Sequence, residues 1–182
     1  MIFEEKALML KDGRTAILKT PAPEDAEMML AFIRAACGET EFLLRNPEEW
    51  DPVTPEDEAK WIRGLRESPQ SFDIACYVDG VLIGNCELRF RQEQKCAHRA
   101  ELGIAIREAF WGLGIGSAMF AECITAARAH GTTLLELTHK EGNDRGRRLY
   151  EKFGFRQVCI RPKAFRMKDG RFCGEVFMQM EL

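Results

Sequence analysis

The segment that most restricts this chain is Phe110-Trp111-Gly112-Leu113-Gly114-Ile115-Gly116-Ser117. Ala100 to Ile106 before it alternates like a strand, and Ile115 to about His130 after it repeats at helical spacing. Three glycines at alternate positions let the backbone take positive φ and come close to a ligand. The first N–H groups of the helix have no internal partner, and its dipole is positive there. A strand, this turn and a long helix therefore form an anion site that needs no basic side chain. A plain chain reversal is the alternative for the turn taken alone. A Walker loop needs Gly-Lys-Ser/Thr, and Gly116 runs into Ser117 without the Lys. A dinucleotide fingerprint is Gly-x-Gly-x-x-Gly near a first βαβ strand, whereas this turn follows three antiparallel-looking strands.

Around the turn, the pattern reads as mixed α/β. Arg14 to Lys19 is a short strand after Asp12-Gly13. Pro23-Glu24-Asp25 opens a helix carrying Met28, Met29, Phe32, Ile33 and Ala36, which Gly38 can end. Residues 39–53 read as an irregular loop, and Thr54-Pro55-Glu56-Asp57 as a capped start to a helix with Trp61, Ile62 and Leu65 on its apolar side. Phe72 to Val78 and Val81 to Phe90 form a hairpin across Asp79-Gly80. Thr133 to His139 is a strand, Asn143 to Phe153 a helix closed by Gly154, and two antiparallel strands follow near Gln157 to Phe165 and Phe172 to Glu181. At 182 residues this suits one domain, 1–182.

The second motif is Asn143-Asp144-Arg145-Gly146-Arg147-Arg148-Leu149-Tyr150-Glu151-Lys152-Phe153-Gly154-Phe155. Asn143 and Tyr150, seven apart, share a helix face about 10 Å apart along the axis, with Gly146 and Arg147 between them. Leu149 and Phe153 can face the core. Asn143 suits an N-cap, and Gly146 costs about 1 kcal/mol against Ala in mid-helix, a cost that the close approach of another group would justify.

Together the two motifs resemble the GNAT superfamily of acetyl-CoA-dependent N-acetyltransferases, strongly over Ala100 to Phe155 and in layout elsewhere. The resemblance implies a central, mostly antiparallel twisted sheet of six to seven strands with flanking helices, splayed between the fourth and fifth strands. It implies an enzyme moving the acetyl group of acetyl-CoA directly to a primary amine of a small molecule or peptide; a non-catalytic acyl-CoA-binding or regulatory domain is the alternative. Ile104, Ala105 and Ile106 would carry the pantetheine, and Trp111, Gly112, Leu113, Gly114, Ile115, Gly116 and Ser117 the pyrophosphate. Asn143 would touch the pantetheine arm, and Tyr150 would protonate the departing thiolate. The family pattern usually has Gln or Arg where Trp111 stands, which removes a polar or cationic contact.

A backbone N–H near Ile104 could polarise the thioester carbonyl. For the base, Glu101 lies on the same strand, although alternation points it away from Ile104 unless a bulge intervenes; Glu87, Glu136 and His139 are rivals. The acceptor pocket is expected near the first two helices and their loop, where Glu39, Glu41, Glu48, Glu49 and Asp51 could steer a cationic amine or simply be solvated. Residues 1–90 carry 10 Lys and Arg against 18 Asp and Glu, and residues 91–182 carry 16 against 11. The basic half holds the turn, but no basic block with interleaved aromatics points to nucleic acid. Seven scattered cysteines without Cys-x-x-Cys spacing read as reduced core thiols rather than a metal site. With no spanning apolar run and no signal-peptide pattern, a cytoplasmic protein is expected, and exposed C-terminal strands could pair it into a homodimer.

Overall fold

A computed structural model describes residues Met1 to Leu182. The elements are β1 (Lys6–Met9), β2 (Thr15–Lys19), α1 (Ala26–Glu39), α2 (Pro55–Glu67), β3 (Ser71–Val78), β4 (Val81–Phe90), β5 (Arg99–Ile106), α3 (Ile115–His130), β6 (Leu134–Lys140), α4 (Asp144–Lys152), β7 (Arg156–Arg166) and β8 (Phe172–Glu181). One sheet runs in the order β1-β2-β3-β4-β5-β6-β8-β7, antiparallel throughout except between β5 and β6. It has eight strands rather than six or seven. The extra one, β1, is four mostly exposed residues on the sheet's edge, too short and too little buried to leave an alternating pattern.

Alternation along each strand separates two faces. Ile74, Cys76, Cys86, Leu88, Leu102, Leu135 and Leu137 point to a core closed by α3, with Met119, Phe120 and Cys123. Ala75, Tyr77 and Leu82 point the other way, against Phe32 of α1 and Ile62 of α2. Trp61 stands beside Ile62 yet is 41% exposed, so the apolar side of α2 is narrower than its sequence suggests. Gly38 does not end α1, which continues to Glu39. A Cβ there would meet Pro47 Cγ at 3.6 Å, an ordinary contact, so the helix runs through this glycine without a turn. Within that loop Pro47–Trp50 forms a short 3-10 turn, closed by Glu49 accepting from the Asn46 backbone N–H at 2.8 Å.

The feature that creates a site is a splay in the sheet. β5 and β6 pair only from Arg99 to Glu101 against Leu134 to Glu136. Beyond that seam β5 continues on β4 and β6 continues on β8, leaving a wedge between Leu102–Ile106 and Leu137–Lys140. This is the split expected between the fourth and fifth strands, which are β5 and β6 once β1 is counted.

Candidate functional site

The wedge opens into a cleft of about 860 Å³, lined by β5, the glycine turn, α4, the end of β6 and the loop after α1. Backbone parity decides what β5 offers it. Arg91 N–H donates to Arg99 O, and Arg107 N–H to Ile83 O, so odd-numbered residues of β5 turn their polar groups to β4. Ile104 and Ile106 therefore turn theirs into the wedge, while the Leu102 N–H closes the seam with β6. Ala105 lines the cleft, but its backbone belongs to the ladder with Asn85. The Ile106 carbonyl is already taken, accepting from Trp111 Nε1 at 2.7 Å.

At the turn, Gly112 and Gly114 have φ of 80° and 98°, which side-chain-bearing residues rarely adopt. Gly114 caps α3, and the first helical bond runs from Ala118 N–H to Gly114 O. The N–H groups of Ile115, Gly116 and Ser117 are thus left without helical partners. Gly116 has a different reason to be small, since a Cβ would lie 3.1 Å from Leu149 Cδ2 on α4. Leu113 is the one turn residue outside the cleft lining; its side chain packs on the core and its carbonyl accepts from Lys11 N–H. Lys11, Arg145 and Arg148 bring positive charge to this end. The Arg145 guanidinium lies over the Trp111 ring, 4.7 Å from its centroid, so a cation reaches the turn from α4 where the sequence has none at position 111. Unpartnered N–H groups, open backbone and cations suit a pyrophosphate, and the free N–H and C=O groups of β5 suit the amides of a pantetheine arm.

On α4, Asn143 is the N-cap, its Oδ1 accepting from Gly146 N–H at 2.9 Å while its Nδ2 is left for the cleft it lines. The same side chain explains Gly146, because a Cβ there would lie 2.7 Å from Asn143 Nδ2. Arg147 turns out to solvent with Glu151, and Leu149 lines the cleft instead of lying wholly in the core. Tyr150 is 8% exposed, its ring 5.6 Å from Phe120 at 20° and 6.4 Å from Phe155. Burial pushes its phenol up to about 12, so the group stays protonated through the neutral range.

The rival bases separate clearly. Glu101 lies outside the cleft lining, half exposed and paired with Arg91 at 3.0 Å. Glu136 is buried but spent, held by Arg99 Nε and Nη2 at 2.9 and 2.7 Å and by Gln179 Nε2 at 2.9 Å. His139 is buried on the Tyr150 side of the sheet, rings 5.7 Å apart, with Nδ1 2.8 Å from Lys140 O and Nε2 without a protein partner. Glu87 lines the cleft opposite Gly103, whose absent Cβ would touch it at 3.5 Å, and is therefore next to Ile104 on the α1/α2 face. Arg89 holds it at 2.8 Å.

Three further residues escaped the sequence reading. Asp73, 3% exposed and across the ladder from Glu87, bonds to the Asn85 amide; burial, reinforced by the charge of Glu87, pushes its carboxyl up to about 8. An acid inside the apolar run Phe72 to Val78 was its one visible signal. Asn85 left no signal beyond being a polar residue in a strand. Lys140 is buried, with Nζ donating to the carbonyls of Glu41 and Leu43 at 2.8 Å each, so β6 grips the loop after α1. The acids of that loop are engaged within the protein. Glu39 pairs with Arg107, Glu41 with Arg171, Glu48 with Lys168 and Asp51 with Arg34, while Glu49 closes the 3-10 turn.

Known proteins share this fold. An acetyltransferase of the GNAT family from Streptococcus pneumoniae superposes with a TM-score of 0.85 at 23% identity, covering 92% of this chain and 99% of that one. A protein from Salmonella typhimurium, solved with its cofactor acetyl-CoA, gives 0.77 at 20% identity over 92% of this chain and 94% of that one. The L-amino acid N-acetyltransferase AaaT of Escherichia coli (strain K12) is 23% identical over 119 residues, 65% of this chain and 73% of its own. The sequence model of the acetyltransferase (GNAT) family matches residues 38–155, from the end of α1 through the turn and α4, and this chain belongs to that family of acetyl-CoA-dependent N-acetyltransferases.

Proposed function

We propose that the cleft transfers the acetyl group directly from acetyl-CoA to a primary amine, with Glu87 as base, the Ile104 N–H as carbonyl-polarising donor and Tyr150 as acid. The observation that carries it is the meeting of these three groups in one cleft, Glu87 on the α1/α2 face and Tyr150 on the other. The pyrophosphate rests on the N–H groups at the start of α3, and the pantetheine lies along β5 in the wedge. The amine nitrogen attacks the thioester carbon; the C–N bond forms, the C–S bond breaks, and the amine proton passes to Glu87. Tyr150 gives its proton to the leaving sulfur, and the burial that lifts its phenol also makes a thiolate in the same cleft a stronger base. Positive potential at Ile104 N–H acts on the oxygen as it gains charge.

Tyr150→Phe keeps the ring packing on Phe120 and Phe155 and removes only the hydroxyl. It is expected to bind acetyl-CoA as tightly as the parent and to lower kcat about 100-fold or more. Glu87→Gln should lower kcat/KM most at neutral pH and recover partly at high pH, where more amine is uncharged. Full turnover in both variants would remove these assignments. Glu101→Gln serves as the contrast, with little change expected. The acceptor is a small-molecule or peptide amine.

The free edge of β7 carries Val158 and Ile160, 55% and 42% exposed, and a second copy pairing there would give a homodimer. Sedimentation of Val158→Lys should then show a lighter species than the parent. The chain has no helix long and apolar enough to cross a membrane, and its seven cysteines are all free thiols, which favours the reducing cytoplasm as its place of action.

A further inference from the structure

We infer that the acceptor is a primary amine carrying an uncharged apolar group, seated between Phe42 and Leu44 of the loop and Phe165 of β7 with its nitrogen over Glu87. The inference rests on the acetyl-transfer reading of the same cleft. These side chains line the cleft across the wedge from β5, where Lys140 of β6 holds the loop. Phe165 stands on the α1/α2 face, since it pairs with Cys173 and lies 5.1 Å beneath the Lys140 ammonium. That is the face on which Glu87 stands.

Charge separates the acceptor classes. A polyamine or an aminoglycoside brings several ammonium groups, each of which must exchange water for a carboxylate. Those carboxylates are occupied. Only Glu87 and Glu175 line the cleft; Glu87 is taken up by the reacting amine, Glu175 is held by Arg161 at 2.5 Å, and the loop acids are engaged outside the lining. Lys140, the cation at this end, is committed to two carbonyls. The apolar groups are not all committed. Leu43 packs into the core beneath α1, but Leu44 beside it is 77% exposed at the rim of the cleft. An apolar substituent would cover Leu44 and the faces of two aromatic rings, whereas a second cation would meet no open partner.

A homologous series of straight-chain primary amines, from propylamine to heptylamine, measures this directly through the release of free CoA thiol. Each methylene moved from water onto these side chains should raise kcat/KM about fourfold until the pocket is filled. Spermidine and kanamycin should fall below the longer alkylamines. Leu44→Glu, at an exposed position that leaves the fold intact, should flatten the rise with chain length. A flat series in the parent, or spermidine or kanamycin outrunning heptylamine, overturns the inference while leaving acetyl transfer standing. Absence of turnover with every amine, in protein that binds acetyl-CoA, overturns the acetyl-transfer reading and the inference with it.

Discussion

Replacing Trp111 with Phe separates two jobs that one side chain performs. The indole N–H donates to Ile106 O at 2.7 Å, tying the turn to the end of β5, and the ring carries Arg145 at 4.7 Å. Phe keeps a ring for Arg145 and removes the hydrogen bond. Such a bond contributes about 0.5–1.5 kcal/mol net. If the loosened turn transmits that loss fully to the ligand, the Kd for acetyl-CoA should rise about two- to twelvefold. Arg145→Ala does the opposite, leaving the tie and removing a charge beside the phosphates. Its cost should shrink as salt is added, because exposed charges are screened within about 10 Å at 0.1 M ionic strength. Trp111→Ala removes both the tie and the platform beneath Arg145, so adding Arg145→Ala to it should cost less than the same change in the parent. Calorimetric titration of acetyl-CoA across a range of salt concentrations reads the parent and all four variants. Parental affinity in Trp111→Phe, together with an undiminished salt dependence in Arg145→Ala, would refute both halves of the reasoning.

Other consequences follow from the same geometry. Gly146→Ala puts a Cβ against the Asn143 amide, so the gain in helix propensity should be offset by a disturbed cap, with melting temperature nearly unchanged and acetyl-CoA affinity lowered several-fold. Asn143→Ala loses the cap outright, at about 1 kcal/mol, which for a chain of this size is a drop in melting temperature of about 2–4 °C. The Asp73 carboxyl titrates at about 8 in the folded protein, above its value near 3.9 in an unfolded chain. The folded state then holds the extra proton, and the stability linked to it is complete below about pH 4 and lost as pH rises towards 8. Asp73→Asn should therefore give a melting temperature that falls less between those limits than the parent's. A steeper fall would show that the carboxyl is ionised in the folded state.

Much of the cleft could be read from the chain because its parts are local. The positive-φ glycines, the start of α3 and the Asn143 cap each depend on a few consecutive residues. What remained hidden depends on partners far apart in sequence. Arg145 meets Trp111 from another element, and Glu41 meets Arg171 across 130 positions, so five loop acids that look like an open negative surface are engaged. Asp73 and Asn85 are single polar residues in strands, and only the register of β3 on β4 joins them. Glu101 and Glu87 show the same limit: β5 suggested the first, while strand register sets the second beside Gly103.

The wedge gives β5 a divided character. By strand order it is interior, yet along Ile104 and Ile106 it has the exposed hydrogen-bonding rim of a strand at the border of a sheet. Such rims recruit other extended chains. Trp111 covers one of its carbonyls, and the segment held by Lys140 lines the same cleft, so part of that rim is already shielded. Acetyl-CoA would complete the shield by lying where a strand is missing. The amides of Ile104 and Ile106 should exchange slowly with heavy water only when it is bound, and protein stored without it should be the more prone to aggregate.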